Sequence, residues 1–231
     1  MWAAERTEPS LARPDRGGPG IDRWLLERAA EDGCASAVWQ PLPSLVVPGS
    51  YRRHAGFDAA CARSAAEGWP VQVRRSGGGL VPQGPGVLNF SHAWRTALRL
   101  GDAMETVYEN LCSLLQQVIE PFGLETDCEA VEGSFCDGRF NLSLGGRKVA
   151  GTAQYWQRVD AHQHLVLAHA CVLVEADLDG LTERANRFEA WVGSERRYRA
   201  DVLANLAVPG LTTPVMMQRL ADAARARGPL C

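Results

Sequence analysis

Three sets of residues carry side chains or backbone freedom that could do chemistry. The segment Arg74-Arg75-Ser76-Gly77-Gly78-Gly79 puts three glycines directly after a predicted strand. A backbone without Cβ atoms turns sharply and approaches a ligand closely, and successive amides can form a nest for an anion. Between Val71 and Gly101 stand four arginines and no acidic residue. An arginine-lined cleft for a carboxylate- or phosphate-bearing substrate is one reading, and a flexible loop beside surface arginines is the other. The run matches neither GxxxxGK[ST] nor GxGxxG. The second feature is Lys148, the one lysine among 24 basic residues. A site that needs a slender ammonium on a flexible stem is poorly served by the broad guanidinium fork. Lys148 lies just past the Gly145-Gly146 turn, from where it could donate charge-assisted bonds to a bound carbonyl or phosphate, or face solvent from its strand. The third set is the cysteines, at 34, 61, 112, 128, 136, 171 and 231, odd in number and without CxxC spacing. His162 and His164 lie near Asp160, but a third and fourth metal ligand are missing, so no metal site is read there.

These residues need a scaffold, and composition bounds it. At 231 residues, 46% hydrophobic and 22% charged, the chain can build a core, which excludes disordered, collagen-like and coiled-coil classes. No run approaches 18 apolar residues, so no membrane span is expected. A net charge of -3 argues against a dedicated nucleic-acid binder. Free thiols in a chain of this size, and the absence of an apolar leader pattern, lead us to expect a cytoplasmic protein.

Residues 1–20 are polar and rich in Pro and Gly, read as a flexible arm, with 21–231 as a single domain. Periodicity predicts helices over 21–30, 57–67, 102–120 and 179–190. Asp102 and Glu105 resemble a capping box. Thr213-Pro214 reads as an N-cap and first helical position, opening a last helix that Gly228 ends. Strands are expected within 37–47 and at 71–75, 87–91, 140–144, 148–153 and 165–174. The pair 71–75 and 87–91 reads as a hairpin-like unit. Strand clusters separated by a long helix fit an α+β fold, with mixed, largely antiparallel sheets flanked by helices.

The chain resembles the lipoate–protein ligase and octanoyltransferase superfamily, which shares its catalytic fold with biotin–protein ligase. The resemblance covers about residues 39–177. It rests on Trp39–Pro41 and 45–49, on Arg74 to Gly79, on Gly86, Leu88, Asn89, Phe90 and Ser91, and on the lysine motif GRKVAGTAQ, Gly146 to Gln154. It implies an apolar tunnel for a lipoyl or octanoyl chain beneath the glycine loop, where each buried methylene contributes about 0.8 kcal/mol. Arg74, Gly77, Gly78, Gly79, Asn89, Gly151 and Gln154 would form the acyl-binding site, with Lys148 on the acyl carbonyl. The chain departs from the family pattern at Gln83, where histidine is usual, at Asn141, where aspartate is common, and at Leu80, where alanine is usual.

The superfamily contains ATP-dependent ligases and cysteine-dependent transferases. Cys136 lies where one transferase subgroup resembling the ligases carries its nucleophile, in the loop before the lysine strand. A thiolate there would be stabilised by Lys148 and the arginine-rich strand end. The other subgroup places its cysteine three residues before a histidine whose counterpart is His169. Val166 occupies that position, and Cys171 reads as core. The resemblance thus implies an octanoyltransferase that carries an octanoyl or lipoyl group on Cys136. The donor would be octanoyl-acyl carrier protein; the acceptor would be a lysine of a lipoyl domain or of glycine-cleavage H protein. No cofactor or metal is expected in that case, and no nucleic-acid or membrane partner. The alternatives are a lipoate–protein ligase using Lys148 with ATP, Mg²⁺ and lipoate, and a non-catalytic protein that binds acyl groups or lipoyl domains.

Overall fold

The computed structural model describes residues 19–226; the arm at 1–18, Gly228 and Cys231 lie outside them. Six strands form one antiparallel sheet: β1 (Cys34–Trp39), β5 (Val87–Thr96), β9 (His164–Leu173), β8 (Arg147–Arg158), β7 (Asn141–Leu144) and β6 (Asp127–Glu129), in that spatial order. A second sheet has β2 (Ser44–Pro48) at its centre, parallel to β3 (Val71–Arg74) and antiparallel to β4 (Val81–Gln83). The helices are α1 (Pro19–Asp32), α2 (Phe57–Ala66), α3 (Leu100–Ile119), α4 (Leu178–Trp191) and α5 (Thr213–Ala226). The α+β class with mixed, largely antiparallel sheets flanked by helices is what the pattern predicted.

Alternation along β5 and β9 builds the site. Successive strand residues point to opposite faces. Leu88, Phe90 and Trp94 of β5, with Val166, Ala168, Ala170 and Val172 of β9, face a core shared with α3 and α5. On the opposite face, Leu165 and Leu167 pack with Ala93 against α1. Farther along that face, Val87 and Leu173 belong to a third core, beneath the small sheet and α4. Between those two cores the same face carries Asn89 and Ser91 on β5 and His169 and Cys171 on β9, all of which line a cavity. The polar side chains on this stretch of the face therefore line the cavity.

Several expectations change. The strands at 71–75 and 87–91 are not a hairpin: β3 and β5 belong to different sheets, and the glycine loop leads through β4 from one sheet to the other. The segment 37–47 resolves into β1 and β2, separated by Pro41 and Pro43. The first helix starts at Pro19, before the expected boundary at 21. Asp102 is not a cap. The N-cap is Arg99, and Asp102 sits in the first turn with its amide donating to the Arg99 carbonyl at 3.1 Å. Thr213 gives both its amide and its hydroxyl to the Glu175 carboxylate at 2.9 and 2.8 Å, which ties α5 to the end of β9. Among the described residues, no helix is long and apolar enough to cross a membrane.

Candidate active site

The cavity encloses about 340 Å³ between the two sheets. One wall is apolar, from Trp39, Pro41, Leu42, Val46, Val81 and Pro82, and the loop residues Phe135 and Cys136 close the end near β8. Lys148 enters from β8. Leu142 pairs with Ala150 but Ser143 pairs with Lys148, so Val149 is an extra residue on β8. This bulge re-aims the strand and lets Lys148 and Gly151, three apart, line the same cavity. A Cβ on Gly151 would stand 2.9 Å from Lys148 Nζ, so glycine there leaves the lysine its path. Lys148 is 4% exposed. It donates to the Phe135 carbonyl and, at 2.9 Å, to that of Cys136. Burial pushes its pKa down to about 8, against the opposing pull of Cys136.

The Cys136 loop is held by the same groups. Its carbonyl accepts from Lys148, from Asn141 Nδ2 at 3.2 Å and from the Gly138 amide at 2.8 Å. Asn141 also donates to the Gly138 carbonyl at 2.7 Å. Cys136 adopts φ 53°, the one non-glycine left-handed residue among those described. For a residue with a side chain this conformation is costly and persists only when its surroundings over-determine it. Asn141, a departure from the family pattern, thus acts on the loop through two donated bonds, which an aspartate in the ionised state could not make.

The glycine loop meets this loop at the thiol. Gly78, at φ 101°, lies so close that a Cβ would stand 2.3 Å from Cys136 Sγ. Arg74 is buried and donates to the carbonyls of Val46, Gly77 and Gly79 at 3.1, 2.8 and 2.7 Å. Its pKa is lowered by burial, while Cys136, Tyr51, Cys171 and Asp22 pull it back up. Arg74 lines the cavity, but Arg75 turns outward to Gln157 and the Tyr155 ring. The cleft is lined by one arginine, not by a row of them. Gly77, Gly78 and Gly79 shape the loop without forming the cavity wall.

Asn89 lines the cavity and donates to Gln83 Oε1 at 2.7 Å, and Gln83 Nε2 reaches Cys171 Sγ at 3.5 Å. Cys171, expected in the core, faces the cavity as well, and burial pushes its thiol up to about 11. Gln154 lies outside the lining. It donates to the Met104 carbonyl at 2.8 Å and accepts from Trp156, joining β8 to α3.

One group escaped sequence reasoning. Ser76 Oγ and His169 Nε2 are 2.9 Å apart, and Asp22 Oδ1 of α1 stands 4.0 Å from His169 Nδ1. Burial, assisted by Arg74, pushes His169 down to about 3, so at neutral pH the Asp22 contact is not an ion pair. Burial raises Asp22 to about 7, with Arg74 and Arg75 opposing. Asp22 gave no signal in the sequence, because an acidic residue in a first helical turn is commonplace.

The site is thus a cavity between two sheets, with a buried strand lysine in its lining and the glycine loop packed against the neighbouring cysteine loop. Over residues 20–225 the chain matches the lipoyl protein ligase A/B catalytic domain model, and it belongs to that family. An uncharacterized protein of Cupriavidus necator is 46% identical over 187 residues, covering 76% of this chain and 74% of its own length. The octanoyl-[GcvH]:protein N-octanoyltransferase of Kyrpidia tusciae is 39% identical over 150 residues, 62% of this chain and 51% of that protein. The chain therefore spans about half the length of this transferase. Among solved structures, lipoate-protein ligase A bound with ATP superposes with a TM-score of 0.67 at 17% identity, over 94% of this chain and 84% of that one. A bi-partite lipoate protein ligase of Thermoplasma acidophilum gives 0.54 at 18% identity, over 89% and 80%. These two share the fold.

Proposed function

We propose that the protein is an acyltransferase that moves an octanoyl or lipoyl group between carrier proteins by way of a thioester on Cys136. The observation that carries this reading is the meeting of the two loops: Gly78 abuts the Cys136 thiol at the end of a partly apolar cavity. The apolar wall would take the acyl chain. Lys148 has three N–H donors and two of them hold the Cys136 loop, which leaves the third for the acyl carbonyl as it gains negative charge. The thiolate attacks that carbonyl, the carrier leaves, and the lysine of the acceptor then takes the acyl group as an amide.

The sequence suggested octanoyl-acyl carrier protein as donor and glycine-cleavage H protein as one acceptor. The names of the Kyrpidia tusciae relative and of others from Bacillus velezensis and Geobacillus kaustophilus put octanoyl-[GcvH] on the donor side. A Listeria monocytogenes relative is a lipoyl-[GcvH]:protein N-lipoyltransferase. We therefore place an H-protein-type donor first, with a lysine of a lipoyl domain as acceptor. In this reading Cys136 and Lys148 act at the reacting atoms, Asn89 and Gly151 shape the cavity, and no cofactor takes part. The ligase alternative would bring ATP and Mg²⁺ to a cavity whose lining holds a single carboxylate, Asp22.

Incubation with an octanoyl donor in the absence of ATP, followed by intact-mass measurement, tests the reading. The wild type is expected to gain one octanoyl group, labile to hydroxylamine and transferable to a lipoyl domain, and Cys136→Ala to gain none. ATP-dependent lipoylation that survives in Cys136→Ala would make the protein a ligase.

A further inference from the structure

Two cysteines stand apart from the transfer chemistry and against each other. Cys112 lies on α3, buried in the core shared with α5, and Cys128 lies exposed at the centre of β6. The Cys128 thiol donates to Cys112 Sγ at 2.9 Å, the one sulfur–sulfur contact among the described residues. Other sulfur contacts are looser: Cys112 stands 3.7 Å from the Phe140 carbonyl, and Gln83 Nε2 stands 3.5 Å from Cys171. A disulfide bond is about 2.0 Å long, so the pair has only about 0.9 Å to close.

The surroundings permit that closure. Gln116, one helical turn beyond Cys112, donates to the Thr126 carbonyl at 2.6 Å, so α3 and the entry to β6 are already tied. Cys112 gives up its donor on oxidation, but the Phe140 carbonyl also accepts from Thr152 Oγ1 and stays satisfied. A metal ion held by the two sulfurs would need further ligands. Among the described residues, no group of three His, Cys, Asp or Glu side chains is placed to supply them. Exposure opens Cys128 to an oxidant, while Cys112 is covered. The strand between them and solvent is slight: β6 has three exposed residues at the sheet edge and pairs only with β7.

We propose that Cys112 and Cys128 are a redox-active pair, which hydrogen peroxide oxidises to a disulfide that clamps β6 to α3 and a dithiol reductant reopens by exchange. The Cys128 sulfur attacks one peroxide oxygen and the O–O bond breaks. Cys128 becomes a sulfenic acid, and its proton leaves with the other oxygen as water. The Cys112 sulfur then displaces the hydroxyl group from Cys128. The S–S bond forms, and the Cys112 proton leaves with that hydroxyl as a second water. Both sulfurs are oxidised and both peroxide oxygens reduced. Neither sulfur lines the cavity, so the proposal goes beyond the transferase reading and does not depend on it.

Wild type and Cys136→Ala are treated with equimolar hydrogen peroxide, blocked with iodoacetamide in denaturant and cut with a glutamate-specific protease. The cut after Glu125 separates Cys112 from Cys128, and cuts after Glu129 and Glu132 separate Cys128 from Cys136. The expected product is the peptide ending at Glu125 joined to Thr126–Glu129, released by dithiothreitol. It should form at least about tenfold faster than any other disulfide, because its sulfurs are already in contact. Its rate should agree within about twofold between the two proteins, and Cys128→Ser, at an exposed position, should lose it. After oxidation the amides of 127–129 should exchange with deuterium about tenfold more slowly. Recovery of both cysteines alkylated, or of Cys128 as a sulfinic acid with Cys112 unlinked, overturns the pair. So does a link that forms faster elsewhere or that needs Cys136. Unchanged exchange at 127–129 in the cross-linked protein overturns the clamp. A wild type that forms this link yet takes no octanoyl group overturns the transferase reading and supports the pair.

Discussion

Lys148 and Asp22 are opposite cases of one cost. Both are charged groups brought out of water, and each is pushed toward its neutral form, Lys148 down to about 8 and Asp22 up to about 7. For Lys148 the geometry admits no substitute of the same charge. The ammonium passes over Gly151 with no room for a Cβ, and a guanidinium is broader. Lys148→Arg is expected to keep the fold and lose at least about 100-fold in acyl transfer, comparable to removing an oxyanion donor, as read from single-turnover rates beside a melting curve. For Asp22 the folded pKa exceeds the unfolded one, so the unfolded chain binds fewer protons between pH 3.8 and about 7, and stability falls as pH rises through that window. Asp22→Asn should therefore be more stable than wild type at pH 8, by up to about 4 kcal/mol at 1.36 kcal/mol per unit. The difference should vanish near pH 4. Urea midpoints at the two pH values check this, and a pH-independent difference would mean that Asp22 is not held at a raised pKa.

At the scale of elements, the site is two loops pinned to each other. Gly78→Ala would place a Cβ on the Cys136 sulfur, at a backbone angle of φ 101° that suits glycine. We expect it to abolish acylation of Cys136 and to lower the melting temperature as well, because Leu80 and Phe135, beside the contact on either loop, belong to the core beneath the small sheet. Asn141→Asp reverses the polarity of two bonds to loop carbonyls. It should slow alkylation of Cys136 by iodoacetamide about tenfold or more and cost about 1–3 kcal/mol, the penalty for buried groups left unpaired. The segments that carry these residues were legible in the sequence. Three glycines after a strand, a lone lysine after a glycine turn and a cysteine twelve residues earlier are local signals. What stayed hidden depends on distant partners: Ser76, His169 and Asp22 are brought together by α1, β9 and the glycine loop, and no spacing within any one of them announces it. Gln154 shows the converse, since it belongs to the lysine motif yet bonds α3.

At the scale of the molecule, three cores share the six-stranded sheet. The core beneath the small sheet turns on Phe188, fully buried and packed edge-on against Phe57 with ring centroids 6.5 Å apart. Phe188→Ala should lower unfolding stability by about 3–5 kcal/mol, measured in urea. The long helices were legible because α3 buries Val107, Leu111, Leu114, Leu115 and Val118 at steps of three and four. Sheet membership was not, because β3 and β5 each look like a strand and only tertiary pairing separates them. β6 has three exposed residues and therefore no alternating pattern to read. The position of β9 bears on how this family member can diversify. One strand face supplies packing to two cores and, between them, the cavity floor, so a change at His169 or Cys171 is felt as stability as well as chemistry. The opposite rim, where Leu42 is 79% exposed, carries no such double duty. New acyl preferences would therefore be acquired from the rim inward, with the floor inherited almost unchanged.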